Sequence, residues 1–450
     1  MASAYLSRSI TSSTNNTKFT ISVWVKKLKQ VSSSYQNIIN SRQSGTTSGL
    51  GLWFGDNDEI FYNFGTSSSA SSACQTNAKY RDNSAWYHIV LAGDASQSGT
   101  DKLKFYVNGE QITSFQTDNR SSFTTIAYDI GDTTYPTIIG RKHDGTYQFD
   151  GSMAHFHFVD GTAYQASTFG ETDTTTGIWK PKTAPSVTYG NNGFFLRFDN
   201  SGNMGLDSSG QSNNFTTNGT IIQNKDTPSN VFATINPLDY SPNPATLENT
   251  NTTYNKSSTG SGHNATMTGT LGVTKGKYYF EFKPTNTSAF VAGIVRTNHG
   301  LPNSEGYYAT DAGSYGITNG SKIVGGSEQS QTVSYSANDI FGMAYDLDNG
   351  KFYVHINGTY LNSGDPTSGS TGTGSLGNIS LGSNIYVPVV SNANYDQTNV
   401  MHFNFGNGYF GTTAVTSAQN PDDGIGIFEY DVPAGYRALC TKSINAQEYS

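Results

Sequence analysis

Two carboxyl groups held about 5–9.5 Å apart on one wall of a groove can cleave a glycosidic bond, one as acid and one as base or nucleophile. The tightest acidic clusters in the chain are Asp56-Asn57-Asp58-Glu59, Asp129 with Asp132, and Glu171 with Asp173, and each sits in turn-like sequence that leaves carboxylates in water. Asp346 and Asp348 project to one face of a strand, but they run into Asn349-Gly350, where Asp serves a hairpin turn through local hydrogen bonds. His155 and His157 form H-x-H, which puts both imidazoles on one strand face where they would chelate a metal if a third ligand joined them. None stands nearby in sequence, and Phe156 and Phe158 are the better core candidates, so the pair reads as an outward-facing one. The Asp199 to Asn214 stretch offers carboxylate, amide and carbonyl oxygens for Ca2+ but lacks the D-x-[DN]-x-[DN]-G spacing. G-x-S-x-G, H-E-x-x-H and Walker motifs are absent. The expectation is a non-enzymatic chain with no cofactor and no metal, calcium being the one ion the composition would suit.

Tyrosines are the better candidates for binding. Tyr307 and Tyr308 in SEGYYATDAGSYG, Tyr315 at its end and Tyr395 in NANYDQ lie in loop-like sequence beside Asn, Asp and Gly. Their faces would stack on sugar rings while the polar neighbours bond hydroxyls. The same residues would equally suit a covered sandwich edge or a contact with a neighbouring subunit.

Strands must carry these residues. In GMAYDLDNGKFYVHING (342–358), Phe352, Val354 and Ile356 alternate with Tyr353, His355 and Asn357, while Asp348-Asn349-Gly350 and Asn357-Gly358 supply turns, because Asn and Gly accept positive φ. DKLKFYVNGE (101–110) repeats the device, with Asn108-Gly109 at the turn. Two copies suggest two β domains.

The 450 residues suit two domains better than one core. Charged residues are 13% of the chain against about 25% in a typical protein, while 49 Gly, 28 Tyr and 25 Phe are abundant. That balance favours strands joined by polar turns, with almost no helix. The net charge is −8, and no Lys or Arg run is long enough to follow a phosphate backbone or an anionic membrane, so nucleic acid is not an expected partner. Lys26, Lys27 and Lys29 are expected to decorate an exposed strand end. Cys74 and Cys440 are too few and too far apart for a disulfide framework and read as buried or incidental thiols. MASAYLSRSITSSTNN lacks the apolar core of a signal peptide and no stretch reaches the roughly 18 apolar residues of a membrane span, so folding in a cytoplasm without membrane insertion is expected.

FTISVWVKK (19–27) alternates Phe19, Ile21, Val23 and Val25 against Thr20, Ser22, Trp24 and Lys26, a strand with one buried face. Short strands follow at 50–54, 60–64, 85–91, 102–107, 137–140, 152–159 and 192–198, a rhythm that fits an antiparallel sandwich. A turn- and proline-rich stretch then separates residues 1–225 from a second domain at 226–450, whose strands lie in 271–284, 290–296, 342–358, 384–392 and 400–406. The Gly- and Ser-rich insertion from Ser363 to Gly377 is expected to be a mobile surface loop.

GKYYFEF, AGIVR, GMAYDLDNGKFYVHING, YVPVVSN and FNFG, in that order, resemble the core strands of an SPRY domain, a bent antiparallel β-sandwich used for binding. FTISVWVKK, AWYHIVLAG, DKLKFYVNGE, TIIGRK and YQFDGSMAHFHFVDG resemble a laminin-G or concanavalin-like jelly roll. The continuation VDGTAYQASTFGETDTTTGIWKPK, then LDSSGQSNNFT, DTPSNVFATINPLD and PAGYRALC, resembles linked segments of structural proteins from tailed, especially marine, bacteriophages. The resemblance implies an all-β chain of two tandem antiparallel sandwiches in a virion protein: a tail fibre, tail tip or head-decoration subunit. Such a protein would be assembled in the host cytoplasm, dock on other virion proteins, form homo-oligomers such as trimers, and present loops to a host receptor or surface polysaccharide. No heptad-rich shaft precedes Phe19, which favours a compact accessory subunit over a long fibre. A purely architectural decoration protein is one rival. A polysaccharide depolymerase is another, although the E-x-D-x-x-E strand common in concanavalin-like glycosidases is absent.

Overall fold

The computed structural model describes residues 4–9, 17–29, 34–41, 50–64, 73–125, 136–241, 244–256, 265–298, 313–393 and 397–448. The chain is all-β, in tandem antiparallel sandwiches, and divides into two compact units, Met1–Gln223 and Asn224–Ser450. One α-helix, Thr441–Glu448, is present among the described residues, and no helix there is long and apolar enough to cross a membrane.

The first unit comprises β1 (Tyr5–Arg8), β2 (Lys18–Lys27), β3 (Gln36–Asn40), β4 (Gly51–Phe54), β5 (Glu59–Asn63), β6 (Ala73–Lys79), β7 (Tyr87–Asp94), β8 (Leu103–Val107), β9 (Glu110–Ile112), β10 (Phe115–Asp118), β11 (Thr137–Ile139), β12 (Gly151–Asp160), β13 (Gly170–Thr172), β14 (Trp179–Pro181), β15 (Phe194–Leu196) and β16 (Thr216–Asn218). One sheet has the order β10-β6-β5-β4-β3-β11-β1-β16, the other β15-β12-β2-β7-β8-β9. Phe19, Ile21, Val23 and Val25 point from β2 into the space between them and meet Leu52, Phe54, Ile60 and Tyr62 of the facing sheet. Each such burial contributes about 1.5–3 kcal/mol. Asn108 (φ 51) and Gly109 (φ 88) close the β8–β9 hairpin in the left-handed conformation that a two-residue turn demands.

The other face of β2 is buried as well, contrary to the one-face expectation. Thr20, Ser22, Trp24 and Lys26 are all under 3% exposed. The reason is the segment after β12, which folds back over this sheet: Thr20 Oγ1 donates to the Thr162 carbonyl (2.8 Å) and accepts from Tyr164 N (2.7 Å), and Ala166, Phe169 and Tyr189 pack on Val90, Tyr106, Val159 and Phe195. Lys26 and Lys27 are therefore not surface decoration. Lys27 forms a buried ion pair with Asp58 and lies 4.7 Å from the centre of the Phe54 ring.

The second unit has a seven-stranded sheet, in the order 235–240, 266–269, 386–392, 290–296, 314–318, 321–324 and 327–330. Its partner runs 246–248, 253–256, 399–404, 277–284, 341–346, 351–356 and 359–360, with 377–378 and 437–438 added at the side. Phe280, Phe282, Phe290, Phe341, Met343, Phe352 and Phe403 fill the core, Phe282 stacking on Phe341 at 4.7 Å. Asn357 (φ 48) and Gly358 (φ 84) repeat the turn geometry of Asn108-Gly109. Tyr353 and His355 face away from that core, yet each is 1% exposed, because the trailing segment covers their side, Phe428, Tyr436 and Cys440 clustering with Tyr353 and Tyr430 meeting His355 at 5.2 Å. The Ser363–Gly377 insertion is not a loose loop. Asp365 caps a 3-10 turn at Pro366–Thr371, Leu376 N bonds the Phe352 carbonyl (2.9 Å), and Pro366 and Leu376 are buried.

Candidate functional site

Tyr315 does not lie in a loop. It lies in the strand Ser314–Thr318, 2% exposed, where alternation sends it inward with Ile317, and its hydroxyl bonds Ser380 Oγ at 3.0 Å. Tyr307, Tyr308 and Tyr395 fall outside the described residues, as do Asp129 and Asp132.

The acidic clusters hold structure together. Asp58 and Glu59 are 2% exposed, so they are not solvated turn carboxylates: Asp58 neutralises Lys27, and Glu59 accepts Asn57 N (3.1 Å) and lies 3.8 Å from Lys79 Nζ. Asp173 caps the β13–β14 turn through Thr175 N and Thr176 N, both at 3.0 Å, and Glu171 is exposed beside it. Asp346 is fully buried, accepting Asp348 N (3.1 Å) and Asn349 N (2.9 Å) and pairing with Lys277 Nζ at 3.1 Å. Asp348 accepts Gly276 N at 2.8 Å. In the Asp199–Asn214 stretch Asp207 carries four donors, from Phe195 N, Ser209 N, Ser209 Oγ and Asn213 N, which leaves its oxygens committed without calcium.

His155 and His157 do not form an outward pair. The β12 register against β2 shifts between Ala154 and His157, with His155 at φ 46, and His157 is 1% exposed, stacked on Phe195 at 3.9 Å and bonded to the Tyr189 hydroxyl at 2.8 Å. Among the described residues no three His, Cys, Asp or Glu side chains are placed to hold a metal. His88 sits in the same layer, stacked on Trp24 (4.5 Å), bonded to Ser22 Oγ (2.8 Å) and accepting from Trp179 Nε1 (3.0 Å). Burial lowers the pKa of His88 to about 3 and of His155 to about 4, and that of His157 well below its ordinary value. Cys74 and Cys440 are buried free thiols, burial raising Cys74 to about 12.

Glu281 is a buried acid that the sequence pattern does not mark. Burial raises its pKa to about 7, against the hydrogen bonds from Glu429 N (3.0 Å), Tyr430 N (2.9 Å), the Tyr279 hydroxyl (3.0 Å) and Asn404 Nδ2 (3.1 Å), which favour its charged form. Those partners pin the trailing segment to the sheet; the carboxyl is closed off from a substrate.

Two exposed tyrosines of the first unit lie together; Tyr240, which is 42% exposed, belongs to the second unit. Tyr35, just before β3, and Tyr147, in the hairpin between β11 and β12, are 36% and 37% exposed and meet edge to face at 5.0 Å. Lys142-His143-Asp144-Gly145 makes that hairpin's turn, with Gly145 N bonded to the Lys142 carbonyl (3.1 Å) and Gly145 at φ 86. Asn37 N donates to the Tyr147 carbonyl at 2.9 Å, tying the hairpin to β3 two residues from Tyr35. Tyr147 itself has φ 51, a conformation that costs a bulky residue about 1–2 kcal/mol. Lys142 Nζ lies 5.2 Å from the Tyr147 ring centre and 2.9 Å from Asp144. Burial would raise the Asp144 carboxyl, but hydrogen bonds from Thr146 and Lys142 outweigh it and hold it well below the usual range. Burial, Asp56 and Tyr147 raise the Tyr35 hydroxyl, which stays a neutral donor. On the outer face of the same sheet, Trp53, registered opposite Asn37, stacks half-buried on Phe61 at 4.6 Å. The surface therefore offers aromatic faces edged by an ammonium and carboxylates, a composition that suits sugar rings and their hydroxyls. Tyr35 (SSSYQN) and Tyr147 (HDGTYQ) stand in the same turn-like polar sequence as the four tyrosines above.

Residues 2–167 match the family Laminin_G_3, the concanavalin A-like lectin/glucanases superfamily. That span holds both Tyr35 and Tyr147. Among solved structures, the SPRY domain of human HERC1 is similar at 15% identity and TM-score 0.30, covering 38% of this chain and 96% of that one. The TRIM65 PSpry domain is similar at 15% identity and TM-score 0.29, covering 38% and 91%. A candidate carbohydrate binding protein from Bacteroides ovatus ATCC 8483 is similar at 18% identity and TM-score 0.31, covering 48% of this chain and 56% of its own. A search of curated proteins finds no match.

Proposed function

We propose that the protein is a non-catalytic, carbohydrate-binding subunit of a tailed-phage virion, which docks on other virion proteins and takes a sugar on the Tyr35–Tyr147 surface. The observation that carries the glycan reading is this exposed, edge-to-face tyrosine pair on a unit that matches a lectin and glucanase superfamily. A binding role is favoured over hydrolysis because the nearby buried carboxylates, Asp58 and Glu59, are already committed to lysines and to Asn57 N. The virion assignment rests on the resemblance of the linking segments VDGTAYQASTFGETDTTTGIWKPK, LDSSGQSNNFT and DTPSNVFATINPLD to phage structural proteins. Homo-oligomers, trimers among them, would multiply weak single-site sugar contacts into useful avidity.

The test is binding of the purified full-length protein to phage-susceptible cells and to their isolated surface polysaccharide, with phage adsorption measured in competition. Saturable binding that blocks adsorption is expected. A folded protein that neither binds nor competes would remove the receptor role.

A further inference from the structure

A second surface of the first unit has different chemistry. At the end of β1, where Ser7 registers with Thr216 of β16 and Arg8 with Thr137 of β11, a cleft of about 530 Å3 opens. It is lined by Arg8, Ser9, Ser212, Asn213, Asn214 and Thr216 among others. It lies at the start of β11, whereas the Tyr147 hairpin follows the end of β11, so the cleft and the tyrosine pair are separate surfaces.

Among the described residues that line the cleft Arg8 is the only charged group, and it is half-buried. Its guanidinium donates to the Asn192 carbonyl at 3.3 Å and to Asn213 Oδ1. Neither acceptor carries a charge, and among the described residues no carboxylate forms an ion pair with it. A guanidinium has five N–H donors in a fixed fork, so three remain for a ligand. Asp207 acts on Arg8 only at longer range, and its own oxygens are occupied by Phe195 N, Ser209 and Asn213 N. An Arg without a carboxylate partner, in a concave wall of hydroxyls and amides, suits a planar or tetrahedral oxyanion, to which the fork can bond twice. The neutral donors at the rim suit the hydroxyls that surround such a group on a sugar. The net charge of −8 does not oppose this, because fields beyond about 8 Å are screened at physiological salt.

We propose that this cleft binds the oxyanion of an acidic polysaccharide, a sulfate ester or a uronate carboxylate, with Arg8 as its charged ligand. The polymer part of the proposal rests on the carbohydrate reading above; the oxyanion part does not.

Titration calorimetry of the full-length protein with a sulfated oligosaccharide, its desulfated counterpart and a uronate oligosaccharide provides the test. At least one acidic oligosaccharide should bind about tenfold more tightly than the desulfated one, and which of them does so identifies the oxyanion. Arg8→Gln should erase that margin while leaving the neutral sugar's affinity in place, and Arg8→Lys should keep part of it. Thr216→Glu, at an exposed position, sets a carboxylate at the cleft mouth and should erase the margin without touching Arg8, which decides the matter if Arg8→Gln does not fold. No margin in the wild type, or a margin that survives both Arg8→Gln and Thr216→Glu, would overturn the proposal. If no oligosaccharide binds, the carbohydrate reading fails and inorganic sulfate decides the cleft: saturable shifts of the Ser9 and Asn214 amide resonances, lost in Arg8→Gln, uphold an oxyanion site, and their absence removes it.

Discussion

Tyr147 pays for its position in backbone strain, about 1–2 kcal/mol for a bulky residue at φ 51, and the ring it holds out is 37% exposed. Tyr147→Gly releases that strain and deletes the ring. Sugar affinity should fall at least tenfold while the unfolding temperature moves by no more than about 4 °C, measured by calorimetry. A large loss of stability with affinity unchanged would make the ring structural instead. The buried histidines set the response to acid. His88 and His155 have pKa values lowered to about 3 and about 4 by burial, from an ordinary 6.5, so the unfolded chain takes up protons first as pH falls. Their stabilisation is fully present above about pH 6.5 and drains away as pH falls through about 4 to 3. Glu281 works in the opposite sense: raised to about 7 by burial, it stabilises the second unit most below about pH 4.5 and less as pH rises through 7. Tryptophan fluorescence against pH should therefore show the first unit, with Trp24 and Trp179 beside His88, loosening on acidification, and His88→Gln should flatten that response. An unchanged acid profile would count against the histidine layer as its cause.

At the level of elements, the two units repeat one device. Asn108 N bonds the His88 carbonyl and Asn357 N the Ile340 carbonyl, while the two side chains accept His88 N and Ile340 N. Each following glycine lies under an aromatic ring of its covering segment, Gly109 under Trp179 and Gly358 under Tyr430. A Cβ at either glycine would come within 3.0 Å of that ring at a φ that L-residues avoid, so Gly109→Ala and Gly358→Ala should each cost roughly 1–3 kcal/mol in denaturant unfolding. A cost near zero would mean that the covers are loosely seated. The turns and the inward rows were legible in the sequence because alternation and Asn-Gly pairs are local signals, as in Phe19 to Val25 and Phe352 to Ile356. The covers were not. Burial of Thr20, Ser22, His88 and His157 depends on segments far along the chain, and polar residues that find partners there look like surface residues in a window of ten. Short strands such as Gln36–Asn40 and Ala73–Lys79 carry too few apolar residues to announce themselves. Tyr315 belongs to a core strand by alternation alone, whereas the exposure of Tyr35 and Tyr147 depends on a hairpin docked to β3.

Across the whole molecule, each unit carries its own aromatic core, around Phe19 and Tyr62 in the first and Phe282 and Phe341 in the second. Scanning calorimetry should resolve two unfolding components, and Phe282→Ala, which opens a cavity costing about 3–5 kcal/mol, should lower one and leave the other in place. A single transition shifted as a whole would show that the units unfold together. Tyr35 and Tyr147 are the proposed sugar site of the first unit. Titration of the full-length protein, and of a Tyr35→Ala/Tyr147→Ala double variant of unchanged unfolding temperature, with a neutral oligosaccharide from the cell-surface polysaccharide tests it most directly. The account predicts saturable wild-type binding that is lost in the double variant; equal binding by both proteins would contradict it.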